Sequence, residues 1–137
     1  MATHGNLKLN FLETFNMKNF LEIPEERSIF KSNSFFIIKD AFPVSPGHLL
    51  IISKELRKDY LELTIDEKIE LSYCIDRAIE LIKTEFTPDG FNIGMNCGEA
   101  AGQTVFHFHC HVIPRYIGDM ENPRGGVRHC VSGKGFY

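Results

Sequence analysis

Apolar and polar positions follow two periods along this chain, and the places where the period changes mark the elements. Arg27–Phe30 and Phe35–Lys39 are short runs rich in β-formers, parted by Lys31–Ser34, and predict two strands of a hairpin. Asp40–Gly47, with Pro43, Pro46 and Gly47, predicts a turn. His48–Ser53 is apolar on both faces in its middle, the pattern of an interior strand covered by a helix or a partner. Thr64-Ile65-Asp66-Glu67 opens as a capping box, with Thr64 at the cap and Glu67 able to reach back. From there Ile65, Ile69, Ser72, Ile75 or Asp76, Ile79, Ile82 and Phe86 fall near helical spacing, which predicts a helix of about five or six turns, stopped by Pro88-Asp89-Gly90. Phe91–Asn96 alternates as a half-buried strand, Cys97–Gln103 is a glycine-containing loop, and Thr104–Ile113 is the last long strand. Strands, one long helix and more strands make an α+β domain with a mostly antiparallel sheet.

The 137 residues suit one domain, and with 43% hydrophobic and 24% charged residues the composition is globular. A net charge of -3 advertises neither a nucleic acid nor a membrane surface as partner, so an anionic ligand must be caught locally. No apolar run approaches the roughly 18 residues of a membrane span, and Met1–Asn10 lacks the pattern of a secretory signal. Cys74, Cys97, Cys110 and Cys130 form no C-x-x-C pair, which suits reduced thiols in the cytoplasm and gives no zinc knuckle. Residues 1–15 are expected to be an N-terminal extension, in part an expression remnant, of which Met1–Gly5 is given no role in the fold; residues 121–137 form a C-terminal tail. His48–Ser53 and Ile65–Phe86 carry more apolar residues than one sheet should need. This predicts a homodimer through the long helix and an adjoining strand, burying about 2,000 Å².

The informative segment is Val105-Phe106-His107-Phe108-His109-Cys110-His111-Val112-Ile113. Strand side chains alternate, so His107, His109 and His111 share one face, with consecutive Cα atoms about 6.8 Å apart, while Phe106, Phe108, Cys110 and Val112 share the other. A solvated face or satisfied core histidines would explain one such residue better than three. Histidines at i and i+2 can chelate zinc as in a metallohydrolase, but Glu99 is the nearest acidic residue upstream. Imidazole as nucleophile towards phosphorus fits best, a flanking histidine fixing the tautomer or supplying a proton. Gly98, Gly102 and the amides of Gln103–Val105, with Asn96, Gln103 and Thr104, offer neutral donors for phosphate oxygens.

Gly102-Gln103-Thr104-Val105-Phe106-His107-Phe108-His109-Cys110-His111-Val112-Ile113, with Asp40-Ala41-Phe42-Pro43-Val44-Ser45-Pro46-Gly47-His48 upstream, resembles the two motifs of the histidine-triad (HIT) nucleotide hydrolases and transferases. The resemblance covers roughly Ile23 to Tyr137. It implies a five-stranded antiparallel sheet with one long and one short helix, paired as a homodimer. It implies attack by His109 on the α-phosphorus of a purine nucleotide or dinucleotide. His107 and His111 would flank as handlers of phosphate oxygens, tautomer and leaving-group proton, with His48 as a fourth, supporting histidine. It further implies Asp40 on the ribose hydroxyls, Asn96 and Thr104 on the phosphate or leaving group, and Ile38 and Leu50 at the nucleobase slot. No metal is required, although Mg²⁺ can accompany a polyphosphate substrate. The implied reaction is dinucleoside polyphosphate hydrolysis. The alternatives are purine nucleoside phosphoramidase activity and a nucleotide-binding or scaffolding module of little turnover.

The chain departs from the family pattern in places. The zinc-binding cysteines that many members carry near the N-terminus are absent, Asn16 standing in that neighbourhood. Pro114-Arg115 resembles the dinucleoside polyphosphate hydrolases, Asn96 the phosphoramidases, and His111 speaks against the uridylyltransferases. The segment from Asn122 to Tyr137 resembles the tail of prokaryotic members grouped with the diadenosine-polyphosphate hydrolases, with His129 where an aromatic residue is usual. Arg124, Arg128 and Lys134 are expected either to meet a polyphosphate chain, by two-fold symmetry at the partner's triad, or to lie in a solvated or dimer-bracing tail.

Overall fold

In the computed structural model, which describes residues 18–137, the apolar run of the second expected strand and its neighbour form the middle of one sheet. The strands are β1 (Ser28–Lys31), β2 (Phe35–Lys39), β3 (Leu49–Ser53), β4 (Gly90–Gly94) and β5 (His109–Arg115). They are ordered β1-β2-β3-β5-β4, and every pair is antiparallel. Between β3 and β4 runs α1 (Ile65–Glu85). Its capping box is complete: Glu67 N–H donates to Thr64 Oγ1 at 3.1 Å, and Thr64 N–H to Glu67 Oε1 at 2.8 Å. The expected N-terminal extension at residues 1–15, and Asn16, lie outside the described residues.

The structure adjusts the sequence reading in three places. Among the described residues α1 is the one α-helix; Glu25–Arg27, Tyr60–Glu62, Glu99–Ala101 and Gly126–Cys130 are short 3-10 segments, and the expected short second helix is not found there. The buried stripe of α1 is Glu67, Leu71, Cys74, Ala78 and Ile82, whereas Ile65 and Ile69, expected on it, are exposed. Small Cys74 and Ala78 face the sheet and let the helix axis approach it, which turns the isoleucines of the first turns outward. Lastly, β5 begins at His109 rather than Thr104, because its ladder partner β3 ends at Ser53 and the preceding residues are held by loop hydrogen bonds.

Both faces of β3 are covered within the chain, so its apolar residues are accounted for without a second copy. On one face Leu49 and Ile51 pack under α1 with Phe35, Ile37, Phe108, Cys110 and Val112. On the other, Leu50 and Ile52 form a second cluster with Ile38 and Phe20. The register carries this second face across the sheet. Ile38 pairs with Leu50 and Leu50 with His111; Phe36 pairs with Ile52 and Ile52 with His109. Directly paired residues point to the same side, so two apolar rows run straight into two histidines.

Candidate active site

His107 stands just before the β5 ladder and is fully buried. Its Nδ1 accepts the Phe20 backbone N–H at 3.0 Å, and its Nε2–H donates to the Ser53 carbonyl at 2.7 Å. Both ring nitrogens are thereby spent, and the ring is held neutral; burial pushes its pKa below the ordinary histidine value. The Phe20 ring packs at 5.4 Å from it and at 5.1 Å, edge-on, from His109. His107 can therefore hold the site but has no free nitrogen for a phosphate oxygen or a leaving-group proton.

His109 has a different environment. Its Nδ1–H donates to the His107 carbonyl at 2.8 Å, which puts the lone pair of the neutral ring on Nε2. The β5 alternation places this ring on the opposite side of the sheet from α1, half-buried, 5.3 Å from the His111 ring centroid.

His111, His48 and Asp40 form a directed chain. The Val44 N–H can only donate, so His48 Nδ1 accepts it at 3.1 Å and the His48 proton sits on Nε2. That Nε2 lies 2.9 Å from His111 Nδ1 and 3.3 Å from Asp40 Oδ2. His111 Nδ1 thus accepts, which leaves the His111 proton on Nε2, facing away from the relay. Burial, followed by its histidine neighbours, pushes the His111 pKa down to about 4; burial also lowers that of His48, against the opposing pull of Asp40. His111 is a neutral donor at physiological pH. The ligand atoms of Asp40, His48 and His111 lie within 4.8 Å of one another, close enough for a cation. A metal would need the lone pair of His48 Nε2, however, and the Val44 bond places a proton there. The arrangement fits a hydrogen-bond relay better than a metal cage.

The remaining expected residues divide. Asp40 is half-buried rather than an open carboxylate: Oδ1 accepts the Phe42 N–H at 2.8 Å in a turn, and Oδ2 faces the two histidines. Asn96 and Thr104 are exposed. Gln103, expected at the phosphate, is buried and spent internally. Its Oε1 accepts the Gly98 N–H at 2.8 Å, and its Nε2 donates to the Lys58 and Val105 carbonyls at 2.6 and 3.2 Å. With both amide hydrogens used, it staples the loop and offers nothing to a ligand. Ile38 and Leu50, expected at the base slot, are core residues packed with Phe20 and present no open surface to a base. The Cys110 thiol points to the α1 face, where burial raises its pKa to about 12, so it is no nucleophile.

Phe20, Ser53 and Val44 have roles that the sequence did not suggest. All three act through main-chain atoms, which leave no mark on side-chain type, and Phe20 lies 87 residues from its partner His107. A cavity of about 940 Å³ opens beside the relay, lined by Asp40, His48 and His111, by Asn92 and Asn96, by the Glu99–Gly102 turn, and by Val127, Cys130 and Val131 of the tail.

The histidine pKa directions set a pH dependence. Unfolded, each ring titrates near 6.5. Folded, His48, His107 and His111 stay neutral to lower pH, so the unfolded chain binds more protons between the two values and stability falls as the solution is acidified. The contribution is complete above about pH 6.5 and is lost as pH drops through the folded values, about 4 for His111. For His111 it amounts to about 3 kcal/mol. Thermal unfolding midpoints measured from pH 8 to 4 should be level at first and fall below pH 6.5. A midpoint that rises towards pH 5 contradicts the neutral assignments.

Comparison with known proteins gives a consistent result. A family model described as HIT domain matches residues 21–118. Over 106 residues the chain is 34% identical to an AP-4-A phosphorylase of Mycobacterium tuberculosis (strain ATCC 25618 / H37Rv), covering 73% of this chain and 54% of that protein. Over 100 residues it is 33% identical to a bis(5'-adenosyl)-triphosphatase of Dictyostelium discoideum, covering 73% of this chain and 67% of that one. The chain thus spans only about half of the mycobacterial protein. Its fold matches the crystal structure of a Zn-bound histidine triad family protein from Mycobacterium smegmatis with a TM-score of 0.63 at 33% identity, over 69% of each chain.

Proposed function

We propose, from the premise that this chain belongs to the HIT domain family, that it hydrolyses purine nucleotides or dinucleotides at the α-phosphorus through a nucleotidyl-His109 intermediate. One observation carries the reading: the His107 carbonyl accepts a hydrogen bond from His109 Nδ1–H, which leaves the ring's lone pair on Nε2 beside the neutral Nε2–H donor of His111. In the first step Nε2 of His109 forms a bond to phosphorus, and the bond from phosphorus to the leaving oxygen or nitrogen breaks. His111 Nε2–H donates to the departing atom or to a non-bridging oxygen, where its hydrogen bond strengthens as negative charge grows. A polyphosphate departs as an oxyanion, and an amine departs neutral, its nitrogen having first taken a proton from solvent. In the second step water attacks phosphorus and gives up a proton to solvent, the P–N bond breaks, and His109 recovers its lone pair as the mononucleotide leaves. Asn96 and Thr104, both exposed, are the side chains free to contact the phosphate or the leaving group.

The names of the mycobacterial and Dictyostelium relatives favour a diadenosine polyphosphate as substrate. A second reading, phosphoramidate hydrolysis, is favoured by the cavity itself. Among its described lining residues are the carboxylates Asp40 and Glu99 but no lysine or arginine, so an amine leaving group is at ease there. An anionic polyphosphate would bring its own Mg²⁺. Release of AMP from diadenosine polyphosphates and from adenosine phosphoramidates, each with and without EDTA, decides between them. Phosphoramidate turnover is expected to survive EDTA, because no step uses a protein-bound metal. Loss of that turnover on removing a stoichiometric zinc would overturn the imidazole mechanism, whereas nucleotide binding with no AMP from any substrate would leave a binding module.

The protein is further read as a homodimer in the cytoplasm. The outward stripe of Ile65, Ile69 and Tyr73 on α1 is apolar surface for a second copy, and the four free cysteines suit a reducing compartment. Among the described residues no helix is long and apolar enough to cross a membrane. Mass in solution at low micromolar concentration tests the dimer, with a monomer as the adverse result; cell fractionation tests the location.

A further inference from the structure

Residues 119–137 lie outside the segment that the family model matches, yet they build one wall of the cavity beside His111. The tail is folded on itself. The Arg124 and Arg128 guanidinium groups lie 4.7 and 4.9 Å from the centre of the Tyr137 ring. The His129 ring meets Phe136 at 4.5 Å, and its Nε2–H donates to the Arg124 carbonyl at 2.8 Å. Gly125 has φ +97°, and a Cβ there would lie 2.3 Å from the Gly135 carbonyl oxygen, so the closure admits only glycine. Neither arginine lines the cavity, and within the chain both take the tail-bracing role, one of the two expected for them. The tail reaches the cavity of its own chain.

The turn at Gly126–Cys130 sorts its side chains. Arg128 and His129 go into the fold of the tail, while Val127 and Cys130, with Val131 behind them, face the cavity. Val127 is 67% exposed and Val131 58%, apolar surface left open in the wall of a cavity that His111 also lines.

We propose that Val127, Cys130 and Val131 form the subsite for the far end of the leaving group, and that it selects an uncharged aromatic body. The inference rests on the reading that the bond broken at phosphorus lies beside His111. No cation among the described lining residues neutralises a charged group, and three apolar side chains on a fixed turn suit a flat ring. Excluding a phenyl ring from water against such a wall is worth roughly tenfold or more in kcat/KM.

Two amides of AMP test it, one with phenethylamine and one with ethylamine as leaving group, which differ by the ring alone. The wild-type kcat/KM ratio, phenethyl over ethyl, is expected to be at least about tenfold. In the double variant Val127→Asp, Val131→Asp, and after Cys130 is alkylated with a bulky maleimide in a Cys97→Ser background, that ratio should fall towards one. A wild-type ratio near one overturns the proposal, as does a ratio that survives in both altered forms. Equal loss on both amides would show a mere structural brace and also overturns it. AMP from a diadenosine polyphosphate but from neither amide overturns the subsite alone; no AMP from any of the three removes the hydrolase reading and the subsite with it.

Discussion

Replacing His109 with alanine is expected to lower AMP release by at least about a thousandfold while nucleotide binding stays within a few-fold of wild type. The triad segment offers no alternative nucleophile. His107 has both ring nitrogens bonded to main chain, His111 Nδ1 is turned to His48, and the Cys110 thiol is buried on the α1 face. Loss of a covalent nucleophile typically costs several orders of magnitude, and the residual rate reflects binding and electrostatic stabilisation alone. The His109 side chain is half-buried and not part of either core cluster, so its removal should spare the fold. Single-turnover quench with radiolabelled nucleotide supplies the second half of the check: wild type should trap a covalent adduct and the variant none. Turnover within tenfold of wild type in a clean preparation ends the covalent mechanism.

The second large effect is on stability. His107→Ala should destabilise the fold by roughly 3–5 kcal/mol, read as a lowered urea midpoint with unchanged slope. The change deletes a fully buried ring and leaves the Phe20 N–H and the Ser53 carbonyl without their recorded side-chain partner. It also removes the ring against which Phe20 packs, loosening the cluster of Ile38, Leu50 and Ile52. His107→Gln, whose amide offers one donor and one acceptor, should recover part of the loss. A shift below 1 kcal/mol for the alanine variant would mean that this histidine is not the strut described. One strand thus carries two histidines with opposite duties, separable because one variant loses rate and the other loses stability.

The strands and the long helix were legible because period-two and period-3.6 patterns are local, and the capping box at Thr64 is complete in the sequence itself. The common face of the histidines followed from the same alternation, even though His107 lies outside the ladder. What stayed hidden was the division of labour. Whether an imidazole nitrogen is free depends on main-chain groups at Phe20, Val44 and Ser53, and no residue type announces a carbonyl's direction. Gln103 was misjudged for the same reason: an amide near glycines looks like a phosphate donor until the carbonyls of Lys58 and Val105 claim it. The outward isoleucines of α1 show a further limit, since helical periodicity finds apolar faces but not which of two adjacent faces meets the sheet.

The pairing of Ile52 with His109 joins residues more than fifty positions apart, and it is this pairing that delivers the proposed nucleophile to its place. Such contacts are among the slowest for a chain to find, because the intervening loop must be closed before they return any stabilisation. A slip of one residue in β5 would turn Cys110 and Val112 to the reactive side and bury both histidines under α1. Folding therefore proofreads the chemistry. On the proposed mechanism a nascent or misregistered molecule has the right residues and no active site, so turnover waits for the finished sheet, and specific activity doubles as a measure of how much of a preparation has found its register.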